Sequence, residues 1–228
     1  MRIAFISDIH SNLEALQAVL DDIKKERVKH IYCLGDIVGY GANPNEVIEL
    51  LKKLNIPSVQ GNHDFAVPDL KDFNKFNQYA QVALKFTQKV LKTENKEFLK
   101  NLPETNTLTT VGLTFFFAHG SPDDPHWEYI FPTTPEVRLK KFLEKYDVVV
   151  LGHTHIPFYK KFGRKLIMNP GSVGQPRDGI PEASYAIIDT EIMQIVNNRV
   201  EYDIDTAARK IITSKLPFYL GDRLHTGH

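Results

Sequence analysis

The sequence has one cysteine and one tryptophan among its 228 residues. The single thiol, Cys33, excludes a disulfide within the chain. Its setting in the apolar stretch Ile31-Tyr32-Cys33-Leu34 indicates a buried strand and not a nucleophile. A chain with so little cysteine is typical of a reducing compartment, and we expect this protein to be cytoplasmic.

The chain also lacks an excess of charge of either sign and any long apolar run. Lysine and arginine total 28, as do aspartate and glutamate, so no overall field favours nucleic acid or an anionic membrane. No stretch approaches the ~18 apolar residues of a membrane span. The segment before Asp8 is too short for the apolar region of a signal peptide. We therefore expect no membrane partner and find no strong sign of nucleic-acid binding, while the oligomeric state stays open.

Strand and helix patterns alternate over the first part of the chain. Apolar runs predict buried strands at 2–7, 31–34 and 56–59, and apolar residues three or four apart predict amphipathic helices at 13–23 and 45–54. This alternation favours parallel strands joined by right-handed crossovers, and hence the α/β class.

A helical segment at 73–100 interrupts this alternation. Two interpretations are open: a cap near the mouth of the site, inserted at about 68–101, or ordinary packing of extra helix. The pattern then predicts a hairpin at 107–118, a loop at 121–135, a helix at 136–146, four short strands between 157 and 200, and a helix at 205–213. We predict one domain over residues 1–228, built as a two-layer β-sandwich flanked by helices.

Side chains of the kind that bind metals follow five of the predicted strands. They are Asp8 with His10, Asp36, Asn62 with His63, His119, and His153 with His155. The carboxyl ends of parallel strands share one edge of a sheet, and alternate residues of an extended segment point the same way. A lone aspartate after a strand is commonly a turn or cap residue. Five such ends together predict a metal site at one edge of a sheet.

The ligand types narrow the choice of metal. Mixed imidazole and carboxylate ligands suit manganese, iron, zinc, cobalt or nickel and are too rich in nitrogen for calcium or magnesium. The ligands outnumber those of one tetrahedral ion, which indicates two ions that share a bridging carboxylate. We expect two divalent transition metal ions, manganese first, with iron, zinc, nickel or cobalt as alternatives.

The order and spacing of five motifs resemble the calcineurin-like metallophosphoesterase superfamily. The motifs are Asp8-x-His10, Gly35-Asp36, Gly61-Asn62-His63-Asp64, His119-Gly120 and Gly152-His153-Thr154-His155. The resemblance extends to about Arg177, and the stretches Ser7–Leu16 and Gly35–Gly41 resemble the small bacterial and archaeal phosphodiesterase branch. It implies a β-sandwich flanked by helices, with a two-metal site.

The resemblance also implies a role for each matching residue. Asp8, His10 and His155 would bind the first metal, Asn62, His119 and His153 the second, and Asp36 would bridge them. His63 would face the substrate as general acid, and Asp64 would hydrogen-bond its far ring nitrogen. The implied enzyme is a phosphodiesterase or phosphatase that cleaves a small or nucleotide phosphoester by attack of a metal-bridging hydroxide.

Three residues are candidates for binding substrate: Asn62, Arg177 and Tyr40. Protein phosphatases of the superfamily carry an arginine after the second motif, whereas here Gly39, Tyr40 and Gly41 follow. Arg177 is either a replacement cation for phosphate or one side of a salt bridge. Tyr40 and Trp127 either stack on a base or pack beneath a loop.

Other functions compete with this one. The first is hydrolysis of a dinucleoside polyphosphate by the same site. A second is a non-catalytic, metal-bound interaction scaffold, which predicts loss of the catalytic histidine, whereas His63 is present. A metallo-β-lactamase-type hydrolase needs a compact His-x-His-x-Asp-His cluster, which the chain lacks.

Overall fold

The computed structural model describes residues 1–228, which form nine β-strands and eight α-helices. In chain order they are β1 (Arg2–Ile6), α1 (Leu13–Lys25), β2 (His30–Cys33), α2 (Pro44–Lys53), α3 (Asn62–Ala66), α4 (Gln78–Val90), α5 (Thr93–Lys100), β3 (Thr105–Thr110), β4 (Leu113–Ala118), α6 (Glu136–Phe142), β5 (Val148–Val150), β6 (Phe158–Phe162), β7 (Lys165–Asn169), β8 (Ala183–Asp189), β9 (Gln194–Val200), α7 (Ile204–Thr213) and α8 (Phe218–Asp222). Short 3₁₀ turns lie at Phe73–Lys75 and Arg223–His225.

The strands form two mixed sheets. One has the order β2-β1-β8-β9 and the other β3-β4-β5-β7-β6. In the first sheet β1 and β2 are the only neighbouring strands that are parallel. In the second sheet β4, β5 and β7 are parallel to one another. The prediction of a two-sheet α/β fold flanked by helices is confirmed.

Alternation along β1 explains why the two sheets stack. Ile3 and Phe5 point to one face and pack with Phe117 and other apolar residues of the second sheet. The ring centroids of Phe5 and Phe117 lie 5.4 Å apart. Ala4 and Ile6 point to the opposite face, where α1 and α2 cover them. Each face of β1 is therefore buried, once by sheet and once by helix.

The first predicted helix begins as expected because its first turn is capped. The side chain of Asn12 accepts a hydrogen bond from the backbone N–H of Ala15 at 3.1 Å. The predicted strand at 56–59 is wrong, because this segment makes only a single bridge, between Ser58 and Cys33. Gln60 instead donates its backbone N–H to Pro103 at 2.8 Å. The chain therefore enters α3 from a loop and not from a strand.

The segment predicted as a cap is helical, as α4 and α5. Ala80, Ala83 and Leu84 of α4 and Leu99 of α5 are buried in the helix-covered core, so most of the segment packs as ordinary helix. Only the turn before α4 lies at the site, and the boundaries of a cap insertion stay a prediction. None of the eight helices combines the length and the apolar character that a membrane span requires.

Candidate metal centre

The predicted metal ligands meet at one end of the sandwich, between the two sheets. Asp8 and His10 follow β1 and Asp36 follows β2 in the first sheet, whereas His119 and His153 follow β4 and β5 in the second. The prediction of a site along one edge of a single sheet is therefore wrong. The stacking of the sheets, and not one continuous parallel sheet, brings these residues together.

One group of side chains surrounds the carboxylate of Asp8. Its Oδ1 lies 3.3 Å from Nε2 of His155 and 3.9 Å from Nε2 of His10, and these two ring nitrogens are 3.1 Å apart. The three side chains are close enough to share one metal ion.

A second group consists of Asp36, His119 and His153. Nε2 of His119 lies 3.3 Å from Asp36 Oδ2 and 3.1 Å from Nδ1 of His153. Asp36 Oδ2 also lies 3.6 Å from Nε2 of His10, which belongs to the first group. One carboxylate oxygen is therefore within reach of both groups, as a bridging ligand requires.

Backbone carbonyls orient three of the imidazole rings. Nδ1 of His10 lies 3.1 Å from the carbonyl of Val38, and Nδ1 of His119 lies 2.9 Å from that of Leu34. His155 makes the same contact with Gln175 at 2.5 Å. Because a carbonyl only accepts, each Nδ1 carries a proton, and Nε2 is the atom that can offer a lone pair to the cluster when the ring is neutral.

The hydrogen bonds of Asp8, Asp36 and Asn62 show whether this site fits metal ions. Asp8 Oδ2 accepts from the Ser7 hydroxyl at 2.6 Å, and Asp36 Oδ1 accepts from the backbone N–H of His63 at 2.9 Å. Asp8 Oδ1 and Asn62 Oδ1 are buried and have no hydrogen-bond partner. Buried acceptors without a donor are costly unless a cation balances them, so the donor set fits divalent ions.

The backbone is strained where it presents these ligands. Asp8, His10, Asp36, His153 and His155 all have φ between 48° and 68°, a region that residues other than glycine rarely adopt. The explanation of the last pair by alternation along an extended strand is therefore wrong, since β5 ends at Val150 and the pair lies in a loop. In this loop His155 belongs to the group around Asp8, and His153 belongs to the group that contains Asp36.

Burial keeps most of the rings neutral. It lowers the pKa of His10, His153 and His155 well below the ordinary imidazole value, so each retains a lone pair for a cation. Burial also lowers the pKa of His63 to about 4, although the Asp36 carboxylate opposes the shift. The imidazole of His63 is therefore neutral at neutral pH in the absence of a further negative charge.

His119 differs from the other rings. Burial lowers its pKa, but the carboxylates of Asp36 and Asp8 outweigh burial and raise the pKa to about 9. A ligating imidazole must be neutral, so metal binding would displace this proton.

Asp64 does not contact the ring of His63 as predicted. Its Oδ2 accepts from the backbone N–H groups of Ile37 and Gly61, and its Oδ1 accepts from that of Val38, at 3.0 to 3.2 Å. The carboxylate is at the start of α3, where free N–H groups of the neighbouring turn need an acceptor. Asp64 therefore braces the backbone that carries Asp36 and does not orient His63.

Ring contacts orient His63 instead. Its ring centroid lies 4.7 Å from that of Tyr40 and 4.9 Å from those of His10 and Phe76. Gly39 leaves room for the ring, because a Cβ at this position would lie 2.4 Å from Nδ1 of His63. That nitrogen is buried and has no partner.

We expect Asp64→Asn to lower the free energy of unfolding by about 2–3 kcal/mol, because the amide group would point a donor at a backbone donor. Denaturant unfolding of the metal-free protein measures this change, with Asp21→Asn on the exposed face of α1 as the matched control. A variant as stable as the parent would contradict the bracing role.

A cavity of about 250 Å³ opens above the cluster. Its lining includes the three predicted substrate-binding residues Asn62, Arg177 and Tyr40, together with Trp127. Arg177 forms no ion pair: its Nη2 donates to Gln175 Oε1 at 2.9 Å and its Nε is buried without a partner. Of the two interpretations of Arg177, the salt bridge is wrong.

The two aromatic candidates, Tyr40 and Trp127, differ in their surroundings. Tyr40 is buried, with its ring 4.7 Å from both His10 and His63, which favours packing over stacking on a base. It also lines the cavity, so its contact with substrate stays a prediction. Trp127 packs edge-on against Phe76 at 5.3 Å, and its ring lies 4.6 Å from Nζ of Lys75.

Sequence reasoning missed four residues that line the cavity: Lys75, Phe76, Asn77 and Tyr129. The ring of Tyr129 stacks on that of His153 with centroids 3.8 Å apart. The alternation of Trp127, Tyr129 and Phe131 in the loop between β4 and α6 was an available signal, because three aromatic residues at spacing two are unusual in a polar loop.

Comparisons with known proteins identify the family and the relatives of this chain. The model of the calcineurin-like phosphoesterase superfamily domain matches residues 1–193. The chain is 47% identical to the uncharacterized protein MJ0912 of Methanocaldococcus jannaschii over 99% of this chain and 98% of that protein. It is 27% identical to the phosphodiesterase YfcE of Escherichia coli over 86% of this chain and 91% of the relative. A crystal structure of a metallophosphoesterase from Sphaerobacter thermophilus superposes with a TM-score of 0.83 at 36% identity, covering 100% of both chains.

Proposed function

Because the chain belongs to the calcineurin-like phosphoesterase superfamily, we propose that it is a dinuclear metal-dependent hydrolase that cleaves the phosphoester of a small or nucleotide substrate. The observation that carries the proposal is the position of Asp36 Oδ2, which lies within 3.6 Å of a ring nitrogen in each of two ligand groups. A relative named as a phosphodiesterase supports the same reaction.

The two ligand groups contain six of the predicted metal residues, and Asn62, whose buried Oδ1 has no hydrogen-bond partner, is the seventh. We assign Asp8, His10 and His155 to one ion, Asn62, His119 and His153 to the other, and Asp36 to both. When bound, two divalent cations neutralise phosphate oxygens and lower the pKa of a coordinated water. The ligand chemistry accepts several transition metals. Manganese is the ion we assign first.

The surrounding residues provide the remaining chemistry. Arg177, whose guanidinium has no ion-pair partner, would donate to the non-bridging phosphate oxygens. The planar arrangement of its N–H groups matches the geometry of a phosphate. His63 is positioned by its ring contacts to donate a proton to the leaving oxygen. A substrate phosphate beside it would raise its lowered pKa, since an adjacent anion favours the protonated imidazole.

The reaction is tested by assaying metal-reconstituted protein against phosphomonoesters, cyclic and linear phosphodiesters, and dinucleoside polyphosphates. We expect turnover with at least one ester class and none after chelation. Metal analysis runs in parallel. If no transition metal is bound and none can be loaded, the proposal is wrong.

Hydrolysis of a dinucleoside polyphosphate is a second candidate, favoured by two cations in the cavity wall. Lys75 and Arg177 both line the cavity. Arg177 has no ion-pair partner, and Lys75, whose Nζ donates to Asp72 Oδ2 at 2.8 Å, could share its charge with a second phosphate. The value of kcat/KM for dinucleoside polyphosphates is compared with that for phosphodiesters in the same panel. The larger value identifies the preferred substrate.

We expect Arg177→Ala to lower kcat/KM about 10- to 100-fold, the usual effect of losing a hydrogen bond to a charged group. Metal content should be unchanged, because the side chain of Arg177 donates to Gln175 and forms no hydrogen bond or ion pair with a predicted ligand side chain. Arg164→Ala, in the exposed hairpin between β6 and β7, is the matched control. Unchanged kcat/KM in Arg177→Ala would exclude a phosphate contact.

A further inference from the structure

The loop between β4 and α6 presents an aromatic surface next to the candidate metal centre. Tyr129 stacks on His153 and remains 50% exposed, while Phe131 stacks on Tyr129 and is 40% exposed. The rings of Tyr129 and Phe131 are within 10° of parallel, with centroids 5.8 Å apart. A continuous series of flat rings therefore runs from a predicted metal ligand out to solvent.

Ion pairs hold this loop in place. Nη2 of Arg138 donates to both carboxylate oxygens of Glu128, at 2.7 and 2.8 Å, and the Ser121 hydroxyl donates to the same carboxylate. Asp124 accepts from the backbone N–H of Trp127 at 3.0 Å. A bidentate pair of this kind fixes geometry. The exposure of Tyr129 and Phe131 is thus built into the loop, since a fixed loop cannot fold these rings into the core.

The remaining cavity wall carries two cationic side chains, of which Lys75 is paired with Asp72 at 2.8 Å and Arg177 has no ion pair. Lys75 and Arg177 line it, and the only acidic side chain in the lining is Asp36, which belongs to the ligand groups. An occupant that satisfies the whole cavity has an anionic group at the floor and a flat, apolar face beside it. A phosphate joined to an aromatic base has both features.

We propose that the substrate is a nucleoside phosphoester whose base stacks on Tyr129 and Phe131. This inference rests on the proposed phosphoester hydrolysis for the position of the phosphate. Stacking accepts any base, because every base has a π face, so the surface selects nucleosides as a class over sugar or alkyl phosphates.

The single tryptophan makes binding directly measurable. Trp127 and Tyr129 line the same cavity, and Phe131 stacks on Tyr129 at its margin. A base held against Tyr129 should therefore change the fluorescence of Trp127 without any turnover. Metal-loaded protein is titrated with a nucleoside monophosphate and, separately, with ribose phosphate, which lacks the base. We expect the nucleotide to bind at least about 5-fold more tightly than the sugar phosphate, the lower end of the range for one stacked base.

Ring-deleting variants then locate the contact. Phe131→Ala and Tyr129→Ala should each weaken nucleotide binding about 5- to 100-fold and leave ribose phosphate binding unchanged. Tyr129→Phe keeps the ring and should retain the affinity. Tyr159→Ala removes a tyrosine that is also 50% exposed but lies on β6, and serves as the matched control. Metal content is measured for each variant, because Tyr129 contacts His153.

The outcomes separate this inference from the proposed function. If the nucleotide and ribose phosphate bind equally, or if Phe131→Ala and Tyr129→Ala both bind nucleotide like the parent, the base subsite is refuted even when the protein hydrolyses phosphoesters. If nucleotide binding follows the variants as expected but no ester is cleaved, the subsite stands and the proposed hydrolysis fails.

Discussion

Replacing His63 by alanine is expected to lower kcat about 100- to 10,000-fold, the usual contribution of a positioned general acid. Neither ring nitrogen of His63 is needed to complete the two predicted ligand groups, so both metal ions should remain bound. Metal content by elemental analysis and kcat are measured on the same preparation. His30→Ala, an exposed histidine at the opposite end of β2, is the matched control.

The choice of leaving group makes the test of His63 specific. A nitrophenolate leaves without a proton, whereas an alkoxide requires one. His63→Ala should therefore impair hydrolysis of an alkyl ester far more than that of a nitrophenyl ester. Equal losses on both esters would assign His63 to positioning or metal binding, and loss of metal together with activity would remove the general-acid role altogether.

Asp36→Asn is expected to have an equally large effect by a different route. The amide keeps an oxygen to accept from the backbone N–H of His63 but loses the negative charge shared by the two ligand groups. We expect metal affinity to fall by more than about 100-fold, above the range for residues that only support a ligand, and activity to fall with it.

Two controls define the result for Asp36→Asn. Asp21→Asn on the exposed face of α1 makes the same chemical change away from the site. Excess metal should partly restore activity to Asp36→Asn but not to His63→Ala. A variant that still binds two equivalents with unchanged affinity would show that Asp36 does not bridge.

Local patterns were sufficient for the longer helices and for the ligand motifs, although the short helix α3 was not predicted. The first helix was predicted at 13–23 and is observed at Leu13–Lys25, because capping by Asn12 and the apolar spacing act within a few residues. The strand predicted at 56–59 failed because a strand needs a partner along its length, and this segment has one at Ser58 alone.

The roles of single polar residues depended on neighbours that are distant in sequence. Asp64 follows His63 directly, yet its carboxylate accepts from Ile37 and Val38, which lie more than twenty residues earlier. Adjacency in sequence does not determine which donors a buried carboxylate meets, because burial demands that every nearby N–H find an acceptor.

The sequence by itself determined the α/β class, the chemistry of the ligand set and the assignment of four of the five motifs to strand ends, since these follow from periodicity and side-chain type. Only the tertiary structure decided that the ligands come from two sheets. It also decided that carbonyls orient three of the histidines and that Tyr129 and Phe131 remain exposed beside them. The reason is physical: these features depend on how the faces of the two sheets stack and on which buried groups must pair, and both are long-range consequences of packing.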